Sequence, residues 1–139
     1  MTSPDPAAEG RRRADEFLTH LAQDDDAATA LLTGLSEVRD LVFLGAGLTA
    51  IARAESRFLP PAQRAQANTR QVRLGEFRDS QRNDPEGLRT WLRRAGAEIA
   101  LIRSQRAIAD QVHAQERAAT RAAADANGTS AASSAATTT

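Results

Sequence analysis

The spacing of apolar residues between Leu31 and Phe58 predicts a long buried helix. The apolar and small side chains in this segment fall into two adjoining rows. One row holds Leu31, Leu35, Val38, Val42 and Thr49, and the other holds Leu41, Leu48 and Ala52. Together the rows give a broad apolar stripe, which is typical of a helix at the centre of a core. Because Pro60 and Pro61 cannot continue a helix, we expect this one to end at about Phe58.

A second strong pattern begins at Asn83. The sequence Asn-Asp-Pro-Glu supplies a cap residue, a proline in the first turn and an acid behind it, which are the signals of a helix start. Large apolar residues and alanine then recur at intervals of three and four: Leu88, Trp91, Leu92, Ala95, Ile99 and Ile102. Helix-favouring residues continue as far as Asn127. This segment is therefore predicted to be the longest helix of the chain.

The length of this last helix sets a limit on its packing. A helix of ~40 residues measures ~60 Å, whereas a compact domain of this size has a radius of gyration of ~13 Å. We therefore expect either a break near Gly96 or a carboxy-terminal part that its own domain does not cover.

Two weaker helices complete the predicted fold. Phe17, Leu18 and Leu21 place an apolar patch on one side of a helix expected over Arg12 to Ala22. Another helix is expected near Ala62 to Phe77, where few large apolar residues occur. The predicted fold class is therefore all-α, a small bundle of about four helices.

The two ends of the chain are predicted to lie outside the bundle. Residues 1–11 contain Pro4, Pro6 and Gly10 and are expected to form a disordered leader. Residues 127–139 form a low-complexity tail rich in Ala, Ser and Thr, which buries too little to offset its ordering entropy. Residues 12–126 remain as the helical domain, which is long enough for one modest core.

The composition excludes several kinds of chemistry. The chain has no cysteine, so disulfides, thiolate metal sites and a catalytic thiol are excluded. It also has no lysine, which excludes Schiff-base catalysis and a phosphate-loop lysine. No secretory signal is recognisable, and the longest uncharged apolar run, Leu41 to Ala52, is shorter than the ~20 residues of a membrane span. We expect a soluble, cytoplasmic protein with no membrane contact.

Charge is distributed unevenly although the net charge is zero. Met1 to Ala52 carries 4 Arg and 9 acids, whereas Arg53 to Arg94 carries 10 Arg and 5 acids. Such asymmetry indicates either an anionic partner or two parts of one fold that attract each other.

The segment Val42 to Ala50 contains a glycine motif with three interpretations. As a strand entering a helix, it fits the dinucleotide fingerprint G-x-G-x-x-A, with the ligand at Gly45 to Ala50. However, that fold needs a second parallel strand ending in an acid, and the sequence after Ala50 offers none. The other interpretations are a buried helix with both glycines at a close packing point, or a hinge at Gly45 to Gly47.

The acidic run Asp24 to Asp26 and the neighbouring His20 are candidate metal ligands. Asp is a favoured N-cap residue, so the acidic run is interpreted as the start of the next helix. His20 has Glu16 and Asp24 four residues away on either side, but a solvated cluster explains this spacing as well as a metal does. We expect no metal site.

Arginines between positions 57 and 94 provide one functional hypothesis. Guanidinium groups match phosphate oxygens in a bidentate way, so these side chains could follow a nucleic-acid backbone. The candidate residues are Arg57, Arg64, Arg70, Arg73, Arg78, Arg82, Arg89, Arg93 and Arg94. Interspersed acids and the neutral whole chain argue instead for a solvated face.

The preferred hypothesis is a non-enzymatic interaction or assembly protein. Leu101, Ile108 and Val112 form a second apolar row on the last helix, spaced by seven and four residues. This row could contact a second copy of the chain, in a homo-oligomer, or another helical protein. No catalytic residue and no cofactor are expected. Nucleic-acid binding is the alternative, and dinucleotide binding at Gly45 to Ala50 is the third hypothesis.

Overall fold

Five helices make up the computed structural model, which describes residues 5–136, with side chains only as far as residue 128. The helices are α1 Pro6–Gln23, α2 Asp25–Gly34, α3 Val38–Ser56, α4 Pro61–Ser80 and α5 Pro85–Ala136. No strand occurs within the described residues. The predicted all-α class is therefore confirmed, with five helices in place of about four. Two compact units are present, one reaching Gln105 and the other beginning at Arg106.

The predicted single helix from Leu31 to Phe58 is wrong, because the chain breaks between α2 and α3. Gly34 ends α2, and Leu35 is extended with φ −90° and ψ 91°. Glu37, also extended, precedes the first residue of α3. The apolar period runs across the break because Leu35 and Val38 both pack against the core, although they belong to different segments.

α1 begins at Pro6, six residues before the expected start at Arg12. Pro6 occupies the first helical position, where its missing N–H is not needed, and Asp5 accepts a hydrogen bond from the Ala7 N–H at 3.1 Å. The expected disordered leader over residues 1–11 is therefore wrong from Pro6 onward. Residues 1–4 of that leader lie outside the described residues.

α5 also extends beyond its expected end near Asn127. It continues to Ala136, so the expected tail over residues 127–139 is helical in its described part. Alanine is the best helix former, and Gly128 costs only about 1 kcal/mol relative to Ala. Residues 137–139 lie outside the described part of the chain. No break occurs at Gly96, which lies inside α5.

The acidic run starts α2, as the sequence predicts. Asp24 accepts hydrogen bonds from the N–H groups of Asp26 at 3.1 Å and Ala27 at 3.3 Å. Asp25 and Asp26 then lie in the first turn, where negative charge is stabilised by the exposed N–H groups.

The core of the first unit is formed mainly by α1, α3 and the first part of α5. The six apolar residues predicted to recur from Leu88 to Ile102 are all buried. In α3 the buried face holds Leu41, Leu44, Gly45, Leu48, Ile51, Ala52 and Ser56. The other predicted row lies at the edge of this face, and its Val42 is 41% exposed. The predicted row of Leu41, Leu48 and Ala52 is therefore buried, whereas Val42 of the other predicted row is not.

Three glycines allow α1, α3 and α5 to approach closely. A Cβ atom added to Gly47 of α3 would lie 2.6 Å from the Gly10 carbonyl oxygen of α1. A Cβ at Gly45 would overlap the indole of Trp91, and one at Gly96 would overlap Leu21. Of the three interpretations of the glycine motif, the structure matches the close packing point inside a buried helix.

We expect Gly47→Ala to destabilise the protein relative to Gly34→Ala. The new methyl group at position 47 meets backbone, which cannot move aside like the end of a flexible side chain, whereas nothing lies within 4 Å of a Cβ at position 34. Overpacking of this kind costs about 1–3 kcal/mol. Urea unfolding followed by circular dichroism measures the difference. Equal stability of the two variants would contradict the close approach of α1 and α3.

Candidate functional site

The structure divides the nine candidate arginines between internal contacts and the surface. Arg70, Arg89 and Arg93 bind groups of other helices, and their side chains are 20–35% exposed. Arg78 and Arg94 lie over aromatic rings. Arg57, Arg64, Arg73 and Arg82 are exposed. The set therefore does not form one uniform basic face.

Arg89 of α5 satisfies the carboxy-terminal end of α2. Its Nε donates to the Leu32 carbonyl at 3.1 Å, and its Nη2 donates to the Leu35 carbonyl at 3.2 Å. Glu86, one turn earlier in α5, pairs with the remaining Nη1. The last carbonyls of a helix lack intrahelical partners, so this contact stabilises the break that separates α2 from α3.

Arg93 binds the opposite end of the same helix. Its Nη1 lies 2.9 Å from a carboxylate oxygen of Asp25, and its Nη2 donates to the Thr29 hydroxyl. Arg103 similarly joins α5 to α3, with two nitrogens 2.9 to 3.1 Å from the Glu55 carboxylate. The side-chain hydrogen bonds to Glu55 raise the pKa of Arg103 above its ordinary value.

Arg70 and Glu98 form the most buried ion pair of the first unit. The Arg70 Nε lies 2.7 Å from the Glu98 Oε2, and the Glu98 side chain is only 6% exposed. The other carboxylate oxygen, Oε1, is buried and accepts no hydrogen bond from a described residue. The Arg70 Nη2 and the Gln71 Nε2 are also buried, without a hydrogen-bond partner among the described residues. Buried polar atoms are normally hydrogen-bonded, so these three atoms are exceptions.

Two arginines stack on aromatic rings. The guanidinium carbon of Arg94 lies 4.3 Å from the centre of the Phe77 ring, and that of Arg78 lies 5.8 Å from the centre of the Trp91 ring. These cation–π contacts connect α4 and α5. Arg78 also pairs with Asp79 at 3.1 Å.

A groove of about 600 Å³ lies between α3, α4 and the first part of α5. Its apolar lining residues are the exposed Val72, the partly buried Leu74 and the buried Leu48, Ala52, Trp91 and Ala95. Arg53, Arg57, Arg64 and Arg78 also line it, and Glu98 is the single carboxylate among its lining residues. The structure thus brings together three of the candidate arginines, adds Arg53, and places them beside an apolar surface.

The remaining candidate arginines lie elsewhere. Arg70, Arg73 and Arg94 line a hollow of about 230 Å³ beside Phe77, and Arg82 lies in the connection between α4 and α5. The sequence does not predict the groove, because its lining residues come from three different helices and Leu48 and Trp91 follow the pattern of core residues. The signal available was the poor apolar content of α4, which has Ala67 as its buried residue and cannot cover α3 fully.

The predicted interface residues are exposed on α5. Leu101, in the first unit, is 41% exposed. In the second unit Ile108 is 58% exposed and Val112 is 46% exposed. All described residues from 111 to 128 are exposed. Large apolar residues are therefore available on this helix for a partner.

The geometry gives little support to the dinucleotide site and to the metal site. Val42, Phe43 and Leu44 lie inside α3, so the strand that a dinucleotide fingerprint needs is missing at this position. His20 lies 3.7 Å from Glu16, and the described residues contain no group of three side chains suited to hold a metal ion. None of the described helices is long and apolar enough to cross a membrane.

Comparisons of the chain with protein-family models, with curated proteins and with solved structures give no match. The candidate sites consequently depend on the geometry of this chain alone.

We expect Arg89→Gln to destabilise the fold, with Arg82→Gln as the matched control. Loss of the guanidinium leaves two carbonyls at the end of α2 without their charged donor, which costs about 1.5–3 kcal/mol. Arg82 is exposed, and its replacement should change stability by less than about 0.5 kcal/mol. Thermal unfolding of both variants measures this. Similar melting curves would show that Arg89 is not a structural residue.

Proposed function

We propose that this chain is a non-enzymatic assembly protein that self-associates through α5. The observation that carries the proposal is the exposure of Ile108 and Val112, at 58% and 46%, on the helix of the second unit. Exposed apolar residues that recur on one helix face indicate a protein interface more often than isolated ones do.

The second unit has the residue pattern of a helix that pairs with another helix. Ile108 and Val112 occupy d and a positions of a heptad; the next d position is the polar Gln115, and Ala119, Ala122 and Ala126 occupy the a and d positions that follow. Apolar residues repeating at a and d are the signature of coiled-coil packing. Alanine at the later positions would permit a close approach of the two helices. Leu101 fits the same spacing, seven residues before Ile108.

Charge distribution supports a second copy of this chain as the partner. All six Arg, Asp and Glu residues from position 106 to 128 lie away from the a and d positions, and they comprise 3 Arg and 3 acids. The segment is thus neutral, and two copies would meet without net repulsion. Each copy can also offer arginines to the acids of the other.

We expect the double variant Ile108→Gln, Val112→Gln to shift the protein towards the monomer mass of 14.9 kDa. Loss of each buried apolar side chain weakens the interface, and truncation of central apolar anchors costs about 2 kcal/mol or more. Light scattering behind a sizing column, across a dilution series, measures the mass.

The control is the double variant Ala107→Gln, Ala114→Gln, which places the same side chains at two exposed c positions on another face. It should keep the mass of the parent chain. A parent that stays monomeric at every concentration, or equal loss of mass in both variants, would refute self-association through this face.

Nucleic-acid binding by the segment from Arg57 to Arg94 is the second candidate. It is favoured by Arg57, Arg64, Arg73 and Arg82, whose exposed side chains make no ion pair with a described residue. It is weakened by Arg70, Arg89 and Arg93, which are engaged within the fold. A mixed-sequence duplex that binds with an affinity falling steeply with salt would support it. Binding that ignores salt, or no binding at low salt, would exclude it.

A further inference from the structure

The groove between α3, α4 and α5 has a property that self-association through the second unit does not use. Its apolar lining includes Val72, which is 62% exposed, and the partly buried Leu74, and its volume of about 600 Å³ lies within the usual range for small-molecule sites. Such sites combine an apolar lining with a few polar groups that fix the ligand's orientation.

The charges that line the groove favour an anion. Arg53, Arg57 and Arg64 are exposed and make no ion pair with a described residue, so their guanidinium groups can bind a ligand. Arg78, over the Trp91 ring, adds a fourth positive charge, although it is paired with Asp79. Glu98 contributes one negative charge, which is neutralised by Arg70 at 2.7 Å.

We propose that this groove binds a small organic anion with a flat apolar body. The acid group of the ligand binds Arg53, Arg57 and Arg64, and the apolar body contacts Val72 and Leu74. This site is independent of the self-association proposed for the second unit.

A probe that matches both requirements is 8-anilino-1-naphthalenesulfonate, which carries a sulfonate and a naphthalene ring. Its uncharged relative N-phenyl-1-naphthylamine lacks only the sulfonate. Trp91 is the single tryptophan of the chain and lines the groove, so energy transfer from its indole reports a bound probe. We expect the sulfonate to bind more tightly than the uncharged probe.

Two variants separate the charge from the apolar surface. Arg57→Gln with Arg64→Gln should weaken binding of the sulfonate by about tenfold, because two charge-assisted contacts are lost, and should leave the uncharged probe unaffected. Arg82→Gln, outside the groove, should change neither. Gly75→Leu should abolish binding of both probes, because it fills the groove from α4, where the nearest atom to an added Cβ is the end of the Arg78 side chain at 3.9 Å.

Gly75→Leu should remain folded, since replacing a helical glycine should not lower the unfolding temperature. A loss of probe binding in this variant therefore reports the groove and not unfolding. Failure of the parent chain to bind the sulfonate would overturn the proposal. So would binding that survives Gly75→Leu in a folded variant, or that weakens equally in Arg82→Gln.

Discussion

The close approach of α1 and α3 at Gly10 and Gly47 is the constraint on which the rest of the first unit depends. The Gly10 carbonyl lies where a Cβ of residue 47 would otherwise be, so no larger side chain fits without movement of a backbone. The same spacing lets Trp91 of α5 fill the position of the missing side chain at Gly45. A chain with only five aromatic residues can thereby form a dense core from leucine, isoleucine and alanine.

Charged side chains then fix how α2 and α4 lie on this core. Arg89 and Arg93 of α5 bind the two ends of α2, and the Arg70–Glu98 pair joins α4 to α5. Part of the charge asymmetry along the chain is therefore used within the fold, since Arg93 of the basic part meets Asp25 of the acidic part. Among the arginines that remain exposed, Arg53, Arg57 and Arg64 line the groove.

Local signals in the sequence were sufficient for most helices and insufficient for the candidate site. The start of α5 at Pro85 and the cap at Asp24 depend on adjacent residues and were predicted. The break after Gly34 depends on Arg89, more than fifty residues away, which satisfies the carbonyls that the break exposes. The groove likewise depends on how α4 lies against α3 and α5, and no local spacing encodes that arrangement. The proposal of an interface at Ile108 uses only the helical period and the exposure of this residue.

Hydrogen exchange measured at low and at high protein concentration tests most directly whether a second copy covers α5. An isolated helix without tertiary contacts opens readily in water, so its amides exchange fast unless a partner protects them. We expect peptides from residues 106–128 to exchange rapidly when the protein is dilute and to become protected at high concentration, while peptides from α3 remain unchanged. Protection of residues 106–128 that is the same at both concentrations would contradict self-association through this helix.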